Sequence, residues 1–176
     1  FNGLWLCVLG DTTRTLSLDA RLRTGRWTDP TPVGRWARYL IVLQLVVMYV
    51  STGLQKLSVH WVPWGDLQAL YYIWQMPTFH YRDMSWTAPA EPLLQLSTLV
   101  AWLWEVTGFA FLLGAHGAER GSRAWKAVRA VYIALGLAMH GILLLTMELG
   151  PFAFTSLAFY PALFTPEELN GACRLT

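Results

Sequence analysis

Charge is scarce in this chain. Only 14% of its 176 residues are Asp, Glu, Lys or Arg, against about 25% in an ordinary soluble domain. With 55% hydrophobic residues and a mean hydropathy of +0.37, the deficit argues for an integral membrane protein. Cysteine is scarce too: Cys7 and Cys173 stand near opposite ends, without CxxC spacing, so two free thiols are expected rather than a disulfide framework. The histidines are scattered at 60, 80, 116 and 140; that spacing offers no ligand set, and no metal is expected. A basic run interleaved with aromatics is lacking and the net charge is only +2, which excludes a nucleic-acid partner. There is no internal repeat. There is also no charged n-region before the apolar stretch Gly3–Leu9, so that stretch does not read as a signal peptide. It is expected to be the tail of a transmembrane helix, with the chain a fragment of a longer protein that could carry a fused or partner domain.

What the chain has in plenty is aromatic and apolar. Ten tryptophans and seven tyrosines suit a protein with two membrane–water interfaces to line. Apolar segments follow one another at membrane length. Leu16, Leu18 and Leu22 suggest a short interfacial helix, and Asp29-Pro30-Thr31-Pro32 resets the chain. The first complete span is expected over about Trp36–Leu57, the second over Leu93–Gly114 and the third over Ala130–Leu149. A fourth apolar segment, Phe152–Phe164, is short for a crossing. Between the first two spans, Asp66–Trp74 has helical spacing but cannot span, and reads as an amphipathic helix in the interface ended by Met76-Pro77. Thr165-Pro166-Glu167-Glu168 reads as the start of a small terminal helix. The expected fold is an all-α, polytopic transmembrane bundle with interfacial helices, one domain over residues 1–176.

The basic residues give an orientation. Arg14, Arg21, Arg23, Arg26, Arg35 and Arg38 precede or open the first span, and Arg120, Arg123, Lys126 and Arg129 lie between the second and third. The aromatic connection from Lys56 to the second span carries only Arg82. The positive-inside rule therefore predicts that the Lys56 end faces away from the cytoplasm.

Four ionisable groups lie in or at the edge of apolar segments: Lys56, Glu105, His140 and Glu148. A charge at mid-bilayer costs roughly 2.5–3.5 kcal/mol on insertion scales, so such groups face a bundle interior or water. Lys56 shares a helical face with Tyr49, Thr52 and Gly53. Two readings fit it: an interfacial anchor that snorkels, or a base whose amine gives up its proton in an apolar site and then takes one from an apolar acid such as a reduced quinone. Glu105, with Thr98, Ala101 and Gly108 on its face, reads as a structural inter-helix partner. His140 shares a face with Gly136. Trp61 and Trp64 read as part of the membrane belt.

The run Tyr49-Val-Ser-Thr-Gly53-Leu-Gln-Lys56-Leu-Ser-Val-His-Trp61, followed by Trp64-Gly65 and Leu70-Tyr71-Tyr72, resembles the vitamin K-dependent γ-carboxylase family and its bacterial relatives, the horizontally transferred transmembrane (HTTM) domains. Upstream, Gly10-Asp11 with Leu16-Ser17-Leu18 is similar to the family's preceding connection. Downstream, Met139-His140, Glu148-Leu149-Gly150-Pro151-Phe152 and Phe159-Tyr160 are similar to its end. The resemblance implies that Lys56 holds the position of the base that deprotonates vitamin K hydroquinone, with His140 supporting it. Tyr49, Thr52, Trp61 and Glu148 are then the residues expected around a reduced, vitamin K-like quinone. The carboxylases work on the lumenal side, in agreement with the orientation read from the arginines. The large extramembrane region of the animal enzymes has no counterpart in this sequence, so a base at Lys56 does not by itself imply carboxylation; a γ-carboxylase- or epoxidase-like activity is one expectation. The rival expectation is a non-catalytic membrane module that anchors or packs against another domain.

Overall fold

The computed structural model describes residues 18–27, 34–165 and 167–169. The expectations for Gly3–Leu9, Gly10-Asp11, Leu16-Ser17, Asp29–Pro32, Cys7 and Cys173 lie outside the described residues. Two compact units divide the chain, residues 1–44 and 45–176. In the first, α1 (Leu18–Thr24) is the short helix expected near Leu18 and Leu22. Thr24 closes it by donating to the Ala20 carbonyl at 2.8 Å, and Arg21 lies over the Trp27 ring at 5.9 Å. The long helix α2 (Trp36–Gln55) begins in the first unit and ends in the second.

The second unit continues through α3 (Ala69–Gln75), α4 (Glu91–Val106), α5 (Ala110–Glu119), α6 (Arg123–Thr146) and α7 (Phe152–Ala158). Short 3₁₀ segments at Pro77–Phe79, Ser85–Ala90 and Tyr160–Leu163 link or extend them. The described residues are all-helical apart from one isolated bridge between His80 and Met147. Helices α2 and α6 are long and apolar enough to cross a membrane, and α4 with α5 would make a third span if the pair counts as one.

Three expectations shift. The second apolar segment is not one straight helix: α4 and α5, with the turn before α4, are bent by 61°. At the break the Thr107 hydroxyl bonds back to the Leu103 carbonyl, and the Gly108 amide reaches Glu105 at 3.0 Å. The tighter i→i−3 bonds of Gly108 to Glu105 and Ala110 to Thr107 end α4 before a new helix starts. Second, the basic connection placed at Gly117–Arg129 is mostly helical. Only Arg120–Ser122 separates α5 from α6, and Ser122 caps α6 by accepting from the Trp125 amide. Third, α3 starts at Ala69 rather than Asp66. Leu67 takes φ +57°, which no right-handed helix accommodates, and Asp66 instead accepts from the Gln68 amide at 3.1 Å.

Helix α5 packs against α6, α3 against α4, and α7 against α6. The chain after α7 is tied down by a buried arginine. Arg129 donates to the Leu163 carbonyl at 2.8 Å and to Glu168 at 2.6 Å, and lies 5.4 Å from the Phe164 ring centroid. Thr165 and Glu168 complete a capping box: the Thr165 amide donates to Glu168 at 2.8 Å and the Glu168 amide to the Thr165 hydroxyl at 3.3 Å. The Arg129 hydrogen bond, helped by the Thr165 amide, holds the Glu168 carboxyl below its ordinary value. Because the folded value is depressed, this anchoring is complete above the unfolded glutamate value of about 4.3 and lost as pH falls through the lower folded value. Proteolysis of the segment after Leu163 is therefore expected to speed up on acidification below about pH 4. Glu168→Gln should cleave faster at neutral pH and lose most of that pH dependence.

Candidate functional site

Helix α2 ends at Gln55, and its last turn tightens as the Lys56 amide bonds to Gly53 at 3.2 Å. Gly53 lies directly against the end of α4. A Cβ there would sit 2.8 Å from the Val106 nitrogen and 2.9 Å from the Glu105 Cβ, so only glycine lets the two backbones come this close. The approach sets Lys56 opposite Glu105. The ammonium Nζ donates to Oε1 at 2.5 Å and to Oε2 at 2.7 Å. The Trp61 ring covers the ammonium at 4.6 Å from its centroid.

The pair is asymmetric: the Glu105 side chain is 8% exposed and that of Lys56 29%. A carboxylate so buried is tolerated only with a counter-charge and satisfied lone pairs, and Lys56 supplies both. The ammonium is thus the accessible member and the carboxylate its hidden partner.

Two helical turns back along α2 lies a second polar group, fully enclosed. The Tyr49 hydroxyl is 2.8 Å from His140 Nε2 and 3.4 Å from the Tyr160 hydroxyl. Trp104 meets the Tyr49 ring edge-on at 4.4 Å, and Phe111 and Phe152 fill the sides. His140 is wholly buried, with Nδ1 free of any hydrogen-bond partner. Adjacent residues of α4, Trp104 and Glu105, contact the two groups separately: one packs on Tyr49, the other holds Lys56.

The sequence-predicted residues therefore fall into different places. Lys56 and Trp61 come together, and Tyr49 joins His140. Thr52 turns inward on its own helix, donating to the Met48 and Tyr49 carbonyls at 3.0 and 2.8 Å. Glu148 is exposed in the turn after α6, where its amide donates to Phe79 at 2.8 Å. A cavity of about 90 Å³ near that turn is lined by Tyr81, Leu143, Leu144, Met147, Leu149, Gly150, Ala153 and Phe154, and none of the predicted site residues borders it.

Glu105, read from sequence as a structural inter-helix partner, is the group that Lys56 meets, though it was not among the expected site residues. Tyr160 was likewise absent from the expected set. The signal for Glu105 was present: opposite charges standing alone in two apolar segments are each expensive without the other. Beyond Lys56 the connection is folded on itself. His60 Nδ1 lies 2.8–2.9 Å from both Asp66 carboxylate oxygens, and that hydrogen bond holds the Asp66 carboxyl below its ordinary value.

A family model described as "HTTM domain" matches residues 2–168. No curated protein and no solved structure matches the chain.

Proposed function

Because the chain belongs to the HTTM family, a membrane-associated domain of the γ-carboxylase family, we propose that Lys56 and Glu105 form the proton-accepting centre for a lipid-soluble, weakly acidic aromatic alcohol of the reduced-quinone type. One observation carries the reading: the Lys56 ammonium, partly accessible, holds both oxygens of a buried carboxylate. Lys56 passes one proton to Glu105 and accepts another from the ligand hydroxyl. The pair then stands as ammonium and carboxylic acid, and Lys56 faces the oxygen that has become negative. Charge is conserved throughout, so no net charge enters the apolar site. Such a centre works where water is excluded, because each electrostatic contact is stronger there. Trp61, against the ammonium, offers a flat apolar wall to a ring. A bound quinol would supply the reducing electrons; Lys56, Glu105 and Trp61 would hold it and manage its proton. Tyr49, His140 and Tyr160 support this centre by fixing the parts of α2, α6 and the last 3₁₀ turn behind it.

In this reading α2, α6 and the bent α4–α5 pair cross the bilayer, and Lys56 lies at its non-cytoplasmic side. Arg120, Arg123 and Lys126 are exposed around the turn between α5 and α6, as a cytoplasmic turn requires, while Arg129 is committed to Glu168.

The test is quinol-dependent oxygen consumption by the purified protein, supplied with a reduced naphthoquinone. Lys56→Ala is expected to lower the rate by about 10²–10⁴, the usual worth of a positioned general base. Glu105→Gln should lower it comparably. A second reading has its own support, since the same ion pair staples the end of α2 to α4. A purely structural staple predicts unchanged turnover per folded molecule in Lys56→Ala, and that result would remove the catalytic reading.

A further inference from the structure

Thr98, Trp102 and Glu105 lie on one face of α4, at successive turns. The two outer members are occupied by the connection that follows α2. The Leu70 amide donates to the Thr98 hydroxyl at 3.2 Å, and Lys56 holds Glu105. Trp102, between them, is 9% exposed, and its indole N–H is buried without a hydrogen-bond partner. Trp64, from the same connection, meets the Trp102 ring edge-on at 5.7 Å with its plane at 90°. The stretch from Lys56 to Leu70 thus runs over this face of α4 and contributes Trp61 beside Lys56 and Trp64 beside Trp102.

A buried donor without an acceptor is costly, and indole N–H groups in protein interiors nearly always find one. Along α4, Trp102 precedes Glu105 by about one turn on the same face. We propose that the Trp102 N–H is a positioning donor for a second oxygen on the ring whose hydroxyl meets Lys56. The site would then select flat aromatics bearing an oxygen at each end over those bearing one. This rests on the Lys56–Glu105 reading above and adds a specificity determinant to it. Trp102 takes no part in proton transfer; its effect is on binding and orientation.

The experiment compares two probes, 1-naphthol and 1,4-naphthoquinol, by equilibrium binding to the detergent-solubilised protein under anaerobic conditions. Wild type should bind the quinol about tenfold more tightly than the naphthol, the worth of one neutral hydrogen bond whose loss leaves a buried group unsatisfied. Trp102→Phe keeps a ring and removes the N–H, and should bring the ratio near one, chiefly by weakening the quinol. Lys56→Ala should weaken both probes. An unchanged ratio in Trp102→Phe overturns the Trp102 assignment and leaves the Lys56 reading standing. Failure of wild type to bind either probe, or binding of both that ignores Lys56→Ala, overturns the Lys56 reading and this inference with it. A second readout covers misfolding of the variant: the Raman band that reports indole N–H hydrogen bonding should shift in wild type on adding quinol and stay in place on adding 1-naphthol. The same shift with both probes would count against a donor that reads the second oxygen.

Discussion

Lys56→Ala is expected to cost about 3 kcal/mol of unfolding free energy, and the double variant Lys56→Met/Glu105→Leu to recover most of it. Removing one member of a buried ion pair costs roughly 3–5 kcal/mol, because the remaining charge is left without compensation. The lower end applies because 29% of the Lys56 side chain is exposed and solvent screens part of the interaction. Glu105 would be the group left behind, 8% exposed and pressed against Gly53. Replacing both residues by apolar ones of similar length removes the desolvation cost along with the attraction, and such exchanges are often neutral or better. Thermal or denaturant unfolding in a fixed detergent measures all three proteins. A double variant as unstable as Lys56→Ala would mean that geometry other than charge pairing holds α2 to α4. Stability and turnover separate the two uses of the pair. A double variant that is stable but inert belongs to a catalytic centre, whereas one that is stable and unaltered in every other assay belongs to a staple.

Gly136→Ala is the second large effect, about 1–3 kcal/mol of destabilisation, the range for overpacking a filled core. A Cβ at this position would lie 1.9 Å from the Tyr160 hydroxyl and 2.8 Å from the Trp104 ring. Both rings are buried, and both pack around Tyr49 and His140, so neither has free space to yield. Moving Tyr160 also breaks its 3.4 Å contact with Tyr49. Gly141, on the same helix, is the control: a Cβ there meets nothing within 4 Å. Gly141→Ala should stabilise by about 0.5–1 kcal/mol, since alanine loses less backbone entropy than glycine in a helix. The clash at Gly136 is mainly with one hydroxyl, so adding Tyr160→Phe to Gly136→Ala should restore part of the loss. Equal effects of the two glycine variants would show that the Tyr160 ring is not seated as described.

The helices themselves were legible because hydrophobic periodicity and chain-breaking residues are local. Trp36 as a starting point, Met76-Pro77 as a stop, the Thr165–Glu168 cap and a helix through His140 all follow from nearest-neighbour chemistry. The bend at Thr107–Phe109 was not legible. Threonine and glycine are tolerated inside apolar helices, and only the tertiary structure shows Gly108 pressed close to Tyr49 and Val50 at the bend. Arg129 looked like another loop cation for the same reason. Its partners, Leu163 and Glu168, lie 34 and 39 residues away.

The site divides in the same way. From the sequence alone came Lys56 as the residue of interest, its shared face with Tyr49 and Gly53, and the family whose pattern those residues follow. That information is carried by spacing along one helix, and a helix presents it whatever surrounds it. Which groups answer Lys56 was settled by the tertiary structure. Glu105 is 49 residues away and meets it only because Gly53 lets two helix ends touch, while Thr52 bonds to its own backbone and Glu148 lies in an exposed turn. Charge pairing in an apolar medium acts over a few ångströms, so the choice of partner belongs to the packing and not to the order of residues.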